Sequence, residues 1–239
     1  MSEPYKLAQP AEKSIAMVLQ EFLAEQRSQL KSKTLRRYES VIELFQVCMN
    51  DYAYQFLDKA ESALFDQLYK AKGEGHREFC QIFGPEKIPD NVHEFLGYFL
   101  IRKVMCGKDL KQAAGTVIKK LGLWLMEKNY VQADSAAVML DRGGRAAREL
   151  PATEDLAQML TEYLENNAPF CEEPVEDHFT VDKVEPGKLH LSPMMGHEKM
   201  VVSLPRAISA ACQQGWTIAG AVGQVGKKWR LLEVWNVYP

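Results

Sequence analysis

Nothing in this chain staples it chemically. Its five cysteines, at positions 48, 80, 106, 171 and 212, are odd in number, widely separated and never in a Cys-x-x-Cys pair. That argues against a disulfide framework or a zinc site and leaves reduced, mostly buried thiols as the expectation. His76 and Cys80 stand four apart, a spacing open to two metal ligands, but no second pair accompanies them, so neither metal nor cofactor is expected. No apolar run approaches the roughly 18 residues that span a bilayer. The opening Met1-Ser2-Glu3-Pro4-Tyr5 lacks the basic-then-apolar order of a secretory signal, so a cytoplasmic protein with no membrane partner is expected. A dominant charge is missing too: 29 Lys and Arg face 32 Asp and Glu, for a net charge of −3. A strongly basic nucleic-acid binder is thereby excluded, and any DNA affinity should be modest and salt-sensitive.

The charge that is present is unevenly spread. Residues 1–132 carry 19 Lys and Arg against 17 Asp and Glu, residues 133–178 carry 3 against 11, and residues 179–239 carry 7 against 4. With 46% hydrophobic residues the chain has material for two modest cores.

Helical spacing dominates the first half. Ile15, Val18, Leu19, Phe22 and Leu23 predict a first helix from Ser14 to about Arg27-Ser28. Ser32 or Thr34 is placed to cap a second, whose inward stripe is Leu35, Tyr38, Val41, Ile42 and Phe45. A third pattern, Phe56, Ala60, Ala63, Leu64 and Leu68, ends at Gly73-Glu74-Gly75, and Phe79 to Pro89 reads as a connector. Pro89-Asp90 opens a helix through Val92, Phe95, Leu96, Phe99 and Leu100. Gly107-Lys108-Asp109 opens another, with Ala113, Val117, Leu121, Trp124 and Leu125 inward.

Two of these helices begin with cations, at Lys31-Ser32-Lys33-Thr34-Leu35-Arg36-Arg37 and at Lys108-Asp109-Leu110-Lys111. A helix start presents unpaired N–H groups and a positive dipole end, so such segments are suited to gripping phosphate.

Lys31 to Phe45, through Thr34, Leu35, Tyr38, Ile42 and Phe45, resembles the second helix of the SAM-like core-binding domain of tyrosine recombinases. Lys108 to Val131, through Leu121, Trp124, Leu125 and Tyr130-Val131, resembles a later helix of the same domain. The resemblance covers roughly residues 12–132 and departs at Leu110, where the family usually has Thr, and in an insertion around Tyr52 to Lys87. It implies a helical bundle holding one side of double-stranded DNA. Lys31, Lys33, Arg36, Arg37, Lys108, Lys111, Lys119 and Lys120 would then be backbone contacts that fix register more than sequence. Arg36 and Arg37 lie about 100° apart on a helix, so at most one points straight at a common ligand. The competing reading of all eight is a solvated helix face. Recombinase catalysis needs a further domain with a His-x-x-Arg box and a tyrosine nucleophile, and no His-x-x-Arg follows residue 132. His178, His190, His197 and Tyr238 read as strand or turn residues, and the protein is expected not to be an enzyme.

Residues 133–177 predict a helical, acidic linker: Ala136 to Leu140, an interruption at Gly143-Gly144, a helix capped by Thr153-Glu154-Asp155, and the solvated run Glu172 to Asp177. From 178 to 239 the period falls from 3.6 to 2. Short strands are expected at Phe179 to Val184, Lys188 to Leu191 and Met200 to Leu204, with a helix from Arg206 to Gln213. A hairpin follows, Trp216 to Val225 and Lys228 to Tyr238, turning about Gly226. Strict alternation puts Trp229, Leu231, Trp235 and Val237 on one face. This order suggests a small barrel of OB or SH3-like type, in which Gly220, Gly223 and Gly226 serve bulges and a turn. Trp216, Trp229, Trp235 and Tyr238 near Lys227, Lys228 and Arg230 suggest base stacking by single-stranded nucleic acid, or a protein partner, against the alternative of core filling.

The fold class is thus α+β: an all-α bundle at 1–132, a helical extension at 133–177 and a β-barrel at 178–239. Its expected role is a non-catalytic DNA-binding or DNA-associated accessory protein. The alternative is a protein-interaction scaffold of the same fold without nucleic-acid binding.

Overall fold

The computed structural model describes residues 9–196 and 198–239; His197 and the opening Met1-Ser2-Glu3-Pro4-Tyr5 lie outside the described residues. The fold is α+β, helices first and a closed five-stranded barrel last. No described helix is long and apolar enough to cross a membrane.

Helix α1, Ile15–Gln29, starts at Ser14, whose hydroxyl accepts the Met17 N–H at 3.4 Å, and buries Ile15, Val18, Leu19 and Phe22. Helix α2, Ser32–Tyr52, buries the predicted Tyr38, Val41, Ile42 and Phe45 and extends the stripe to Cys48 and Met49. Neither Ser32 nor Thr34 caps it. Lys31 is the boundary residue and no side chain accepts from the first turn.

A 3-10 turn, Ala53–Phe56, leads to α3, Lys59–Tyr69. The expected start at Phe56 is corrected by Asp58: its carboxylate accepts the N–H groups of Ala60 and Glu61 at 2.8 Å each, while Glu61 accepts the Asp58 N–H at 3.1 Å. That reciprocal box fixes the helix start. The face that packs inward buries Phe65 instead of Ala63 or Leu64, and Phe56, before the helix, is left 55% exposed.

The predicted connector is instead part of the core. Helix α4, Phe79–Ile82, and 3-10 turns at Pro85–Lys87 and Pro89–Asn91 bury Phe79, Cys80, Ile82, Phe83 and Ile88. Helix α5, Val92–Glu94, passes through a π-helical stretch, Phe95–Phe99, into α6, Leu100–Arg102.

Helices α7, Lys108–Glu127, and α8, Ala133–Asn167, follow. Gly143-Gly144 does not interrupt α8, because α7 crosses there with no room for a side chain on Gly115 of α7 or on Gly143 of α8. Thr153 is likewise no cap. It lies inside the helix and its hydroxyl donates to the Leu150 carbonyl at 3.0 Å.

Two compact units result. One comprises the described residues up to Phe99 with Gln112–Ala147, and the other Leu100–Lys111 with Arg148–Pro239. The second contains the barrel: β1 Val175–Glu185, β2 Lys188–Pro193, β3 Met200–Ser203, helix α9 Arg206–Ala211, β4 Thr217–Val225 and β5 Lys228–Tyr238. The closed order is β1-β2-β3-β5-β4, antiparallel except for β3 with β5, the arrangement of an OB-type barrel. Phe179, Val181, Leu189, Leu191, Ile218 and Leu231 fill it, and Leu156, Leu160 and Leu164 of α8, one turn apart, pack into the same core. Each such buried side chain contributes about 1.5–3 kcal/mol.

The acidic run is not wholly a linker, since β1 begins inside it. Asp177 is buried, and its carboxylate accepts the N–H groups of His178 at 2.6 Å and Met195 at 2.8 Å. On β5 the strict alternation also fails. Bulges against Ala219/Gly220 and Ala221/Val222 shift the register twice, so Val234 packs on the core while Trp235 is 47% exposed.

Candidate functional site

The charge on α2 runs against its own dipole. A helix is stabilised by anions at its N-terminus and cations at its C-terminus. Here Lys31 and Lys33 occupy the start with no acidic residue in the first turn, and the last turn has Asp51 and no basic residue. Lys31, Lys33 and Arg36 are exposed, and no carboxylate among the described residues pairs with them; Arg37 is half-buried. Nearby, Arg27 of α1 pairs with Glu39 of α2 at 3.2 Å, tying the two helices together beside this end.

Helix α7 lies beside α1 and carries a further exposed cation. Trp124 meets Phe22 at 5.5 Å edge to face, and its indole N–H donates to Glu25 at 2.8 Å. Tyr130, beyond the end of α7, donates to Glu21 at 2.9 Å and bonds Lys13, so α7 runs opposite to α1. Moving back one turn from Trp124 reaches Lys120, about 6 Å along the axis toward the point where α1 ends and α2 begins. Lys120, Trp124 and Lys128 share one stripe at spacing four, and Lys128 pairs with Glu25 at 2.5 Å. Lys120 is exposed, and no carboxylate among the described residues pairs with it. Lys119, also exposed, stands at the Gly143 crossing, on a different line of the helix.

Two acids of α1 are committed within this network. The Lys128 hydrogen bond, and then the Trp124 indole, hold the Glu25 carboxyl below the usual carboxylate range. The Lys13 bond does the same for Glu21. Sequence reasoning did not single out this network, although the spacing of Lys120, Trp124 and Lys128 was legible.

In the second unit the other predicted helix start is used differently. Lys108 pairs with Asp155 at 2.5 Å, and Lys111, only 6% exposed, pairs with Glu154. Both acceptors lie on α8, so these two cations join helices and are not free for an outside anion. Lys111 and Glu154 also line a cleft of about 430 Å³ with Cys106, Trp235 and Val237. Burial raises the Cys106 thiol, the Lys111 charge opposing it and the Glu154 charge adding to it, so the thiol is not activated.

Lys227 sits exposed at the β4–β5 turn, where Gly226 takes a φ of +64°, and Arg230 lies half-buried on β5 opposite Gly223. Of the aromatics predicted to accompany them, Trp229 stands with them, half-buried against the core. Trp216 is buried, and it and Tyr238 lie at the opposite end of the nine-residue strand β4, roughly 30 Å away. His76 bonds the Tyr69 carbonyl at 2.7 Å and Glu78 at 3.2 Å, whereas Cys80 is buried with its Sγ 3.8 Å from the Gln46 carbonyl. Among the described residues no group of three or more His, Cys, Asp or Glu side chains is gathered for a metal. No protein-family model, no curated protein and no solved structure matches this chain.

Proposed function

We propose that this chain is a non-catalytic, DNA-associated accessory protein that contacts the duplex backbone through one end of its helical unit. The observation that carries this reading is the cluster of exposed Lys31, Lys33 and Arg36, with no carboxylate partner among the described residues, at the uncapped start of α2; Lys120 of α7 is exposed as well. A phosphate there meets unpaired helix N–H groups, the positive dipole end and several long cations at once. The resemblance of residues 12–132 to the core-binding domain of tyrosine recombinases points the same way. On this reading Lys119 adds a flanking contact, and Lys108 and Lys111 hold the fold.

The engagement of Lys108 and Lys111 by Asp155 and Glu154 favours the second reading, a protein-interaction scaffold of this fold without nucleic-acid binding. Duplex retention at two salt concentrations separates the two. Wild type should bind with a negative salt slope, and Lys33→Glu with Lys120→Glu should weaken binding across sequences and reduce that slope by about 2. Equal, negligible retention by both proteins removes the DNA reading and leaves the scaffold.

A further inference from the structure

The other end of α2 points to a different ligand: we propose that the cavity between the last turn of α2 and the face of α3 binds an organic ammonium cation. This inference does not rest on the duplex reading, because 21 helical residues, about 30 Å, separate the two ends.

The cavity measures about 640 Å³, within the range of small-ligand sites. From α2 and its 3-10 turn come Asp51, Tyr52 and Tyr54; from one face of α3, at spacings of three and four, come Phe65, Asp66 and Tyr69. The aromatics form a continuous wall. Tyr54 stacks on Phe65 with centroids 5.9 Å apart and planes within 2°, and Phe65 stacks on Tyr69 at 5.1 Å. Tyr54 and Tyr69 nevertheless remain 48% and 44% exposed. Polarity then decides what such a wall receives. An aromatic face is electronegative and attracts cations. The C-terminal carbonyls of α2 add a partial negative charge that no basic residue in the last turn offsets, and Asp51 adds a full one.

Charge also excludes alternatives. Phosphate and nucleic acid are repelled by Asp51 and by the helix end, although the tyrosines alone would suit a base. Lys70 reaches Asp66 at 3.0 Å, but its side chain is 71% exposed, and an i,i+4 pair of that kind is weak enough for a ligand cation to displace. Among the described residues no cation pairs with Asp51, which is exposed. A soft, bulky ammonium such as a quaternary or methylated amine matches the wall better than a small hydrated metal ion, since its methyl groups bury against the rings while its charge faces Asp51.

Titration of the full chain with choline, by calorimetry, tests the proposal against 3,3-dimethyl-1-butanol, the uncharged isostere. Choline should bind saturably and the isostere about 5- to 30-fold more weakly. Asp51→Asn and Tyr54→Leu should each weaken choline by a similar factor. Asp51→Asn removes a misplaced charge from the end of α2 and should leave the unfolding temperature unchanged or higher, so it carries the test even where Tyr54→Leu disturbs the turn. Equal binding of choline and its isostere, indifference of choline to Asp51→Asn, or no saturable heat overturns the proposal. A trimethyllysine peptide and its unmodified counterpart distinguish the sources. Tighter binding of the methylated peptide than of choline marks a polypeptide ligand, and the reverse marks a free metabolite of the same chemistry.

Discussion

Gly115 of α7 and Gly143 of α8 meet backbone to backbone: a Cβ on Gly143 would lie 2.7 Å from the Gly115 carbonyl oxygen and 2.7 Å from the Lys119 nitrogen. Gly144, its neighbour in sequence, would place a Cβ in open space. Adjacent glycines of the same helix should therefore respond in opposite directions. Gly143→Ala forces the helices apart and should cost about 1–3 kcal/mol. Gly144→Ala improves helix propensity at a position that tolerates it and should add about 0.5–1 kcal/mol. Denaturant unfolding of both variants checks the pair, and equal effects would mean that the crossing is looser than described.

That crossing also shows where sequence reasoning stops. Helices α1, α2 and α7 were legible because each buries one 3.6-period stripe, from Ile15 to Phe22, from Tyr38 to Phe45, and from Val117 to Leu125. The barrel was legible from its period of two and from the Pro186-Gly187 turn, where Gly187 takes a φ of +82°. Glycine's poor propensity predicted a break at Gly143-Gly144, but the close approach of a distant helix outweighs about 1 kcal/mol of local preference. Residues 79–91 escaped because turns of three or four residues carry no periodicity, however deeply Phe79 and Ile88 are buried. The β5 bulges escaped because an inserted residue is invisible until its partner strand is known. Of the candidate site, the cations of α2 were legible as charges. The commitment of Lys108 to Asp155 and of Lys111 to Glu154 depended on tertiary neighbours.

Acid should loosen the helical unit through Glu21 and Glu25. Lys13 chiefly lowers the pKa of the first, and Lys128, with the Trp124 indole, that of the second. A carboxylate whose folded pKa lies below its ordinary value of 4.5 contributes stability that is fully present above that value. The contribution is lost as pH falls through the lowered folded value. Between about pH 5 and about pH 3 the wild type should therefore lose more unfolding temperature than Glu25→Gln, which has no such proton to gain. Parallel losses in the two proteins would show that the network does not contribute to acid stability.

The five thiols should divide sharply in reactivity. Burial pushes Cys48 up to about 12, Cys212 up to about 11, and Cys80 well above the usual thiol range. Cys106 is raised as well, though half-buried. Cys171, partly exposed before β1, is the thiol that a disulfide reagent reaches first. Mass spectrometry after brief native labelling should find Cys171 modified, Cys106 lagging and the other three protected until denaturant is added. Early modification of Cys80 would contradict the burial of α4.

The reversed charge of α2 predicts a conflict between stability and binding. Lys33→Glu places an anion at the positive helix end, and Asp51→Lys places a cation at the negative one. Each change corrects a misfit and should stabilise the fold by about 0.3–1 kcal/mol at low ionic strength, an advantage that salt screens away. Each should also weaken the ligand proposed for its own end, the duplex for Lys33→Glu and the ammonium cation for Asp51→Lys. On the two proposed readings, the ligands at its ends are what keep these charges in the less favourable sense. Unfolding temperatures of the two variants at low and high salt decide the matter. If both variants are destabilised, Lys33 and Asp51 make structural contacts of their own, and the inference from misplaced charge to ligand fails at both ends.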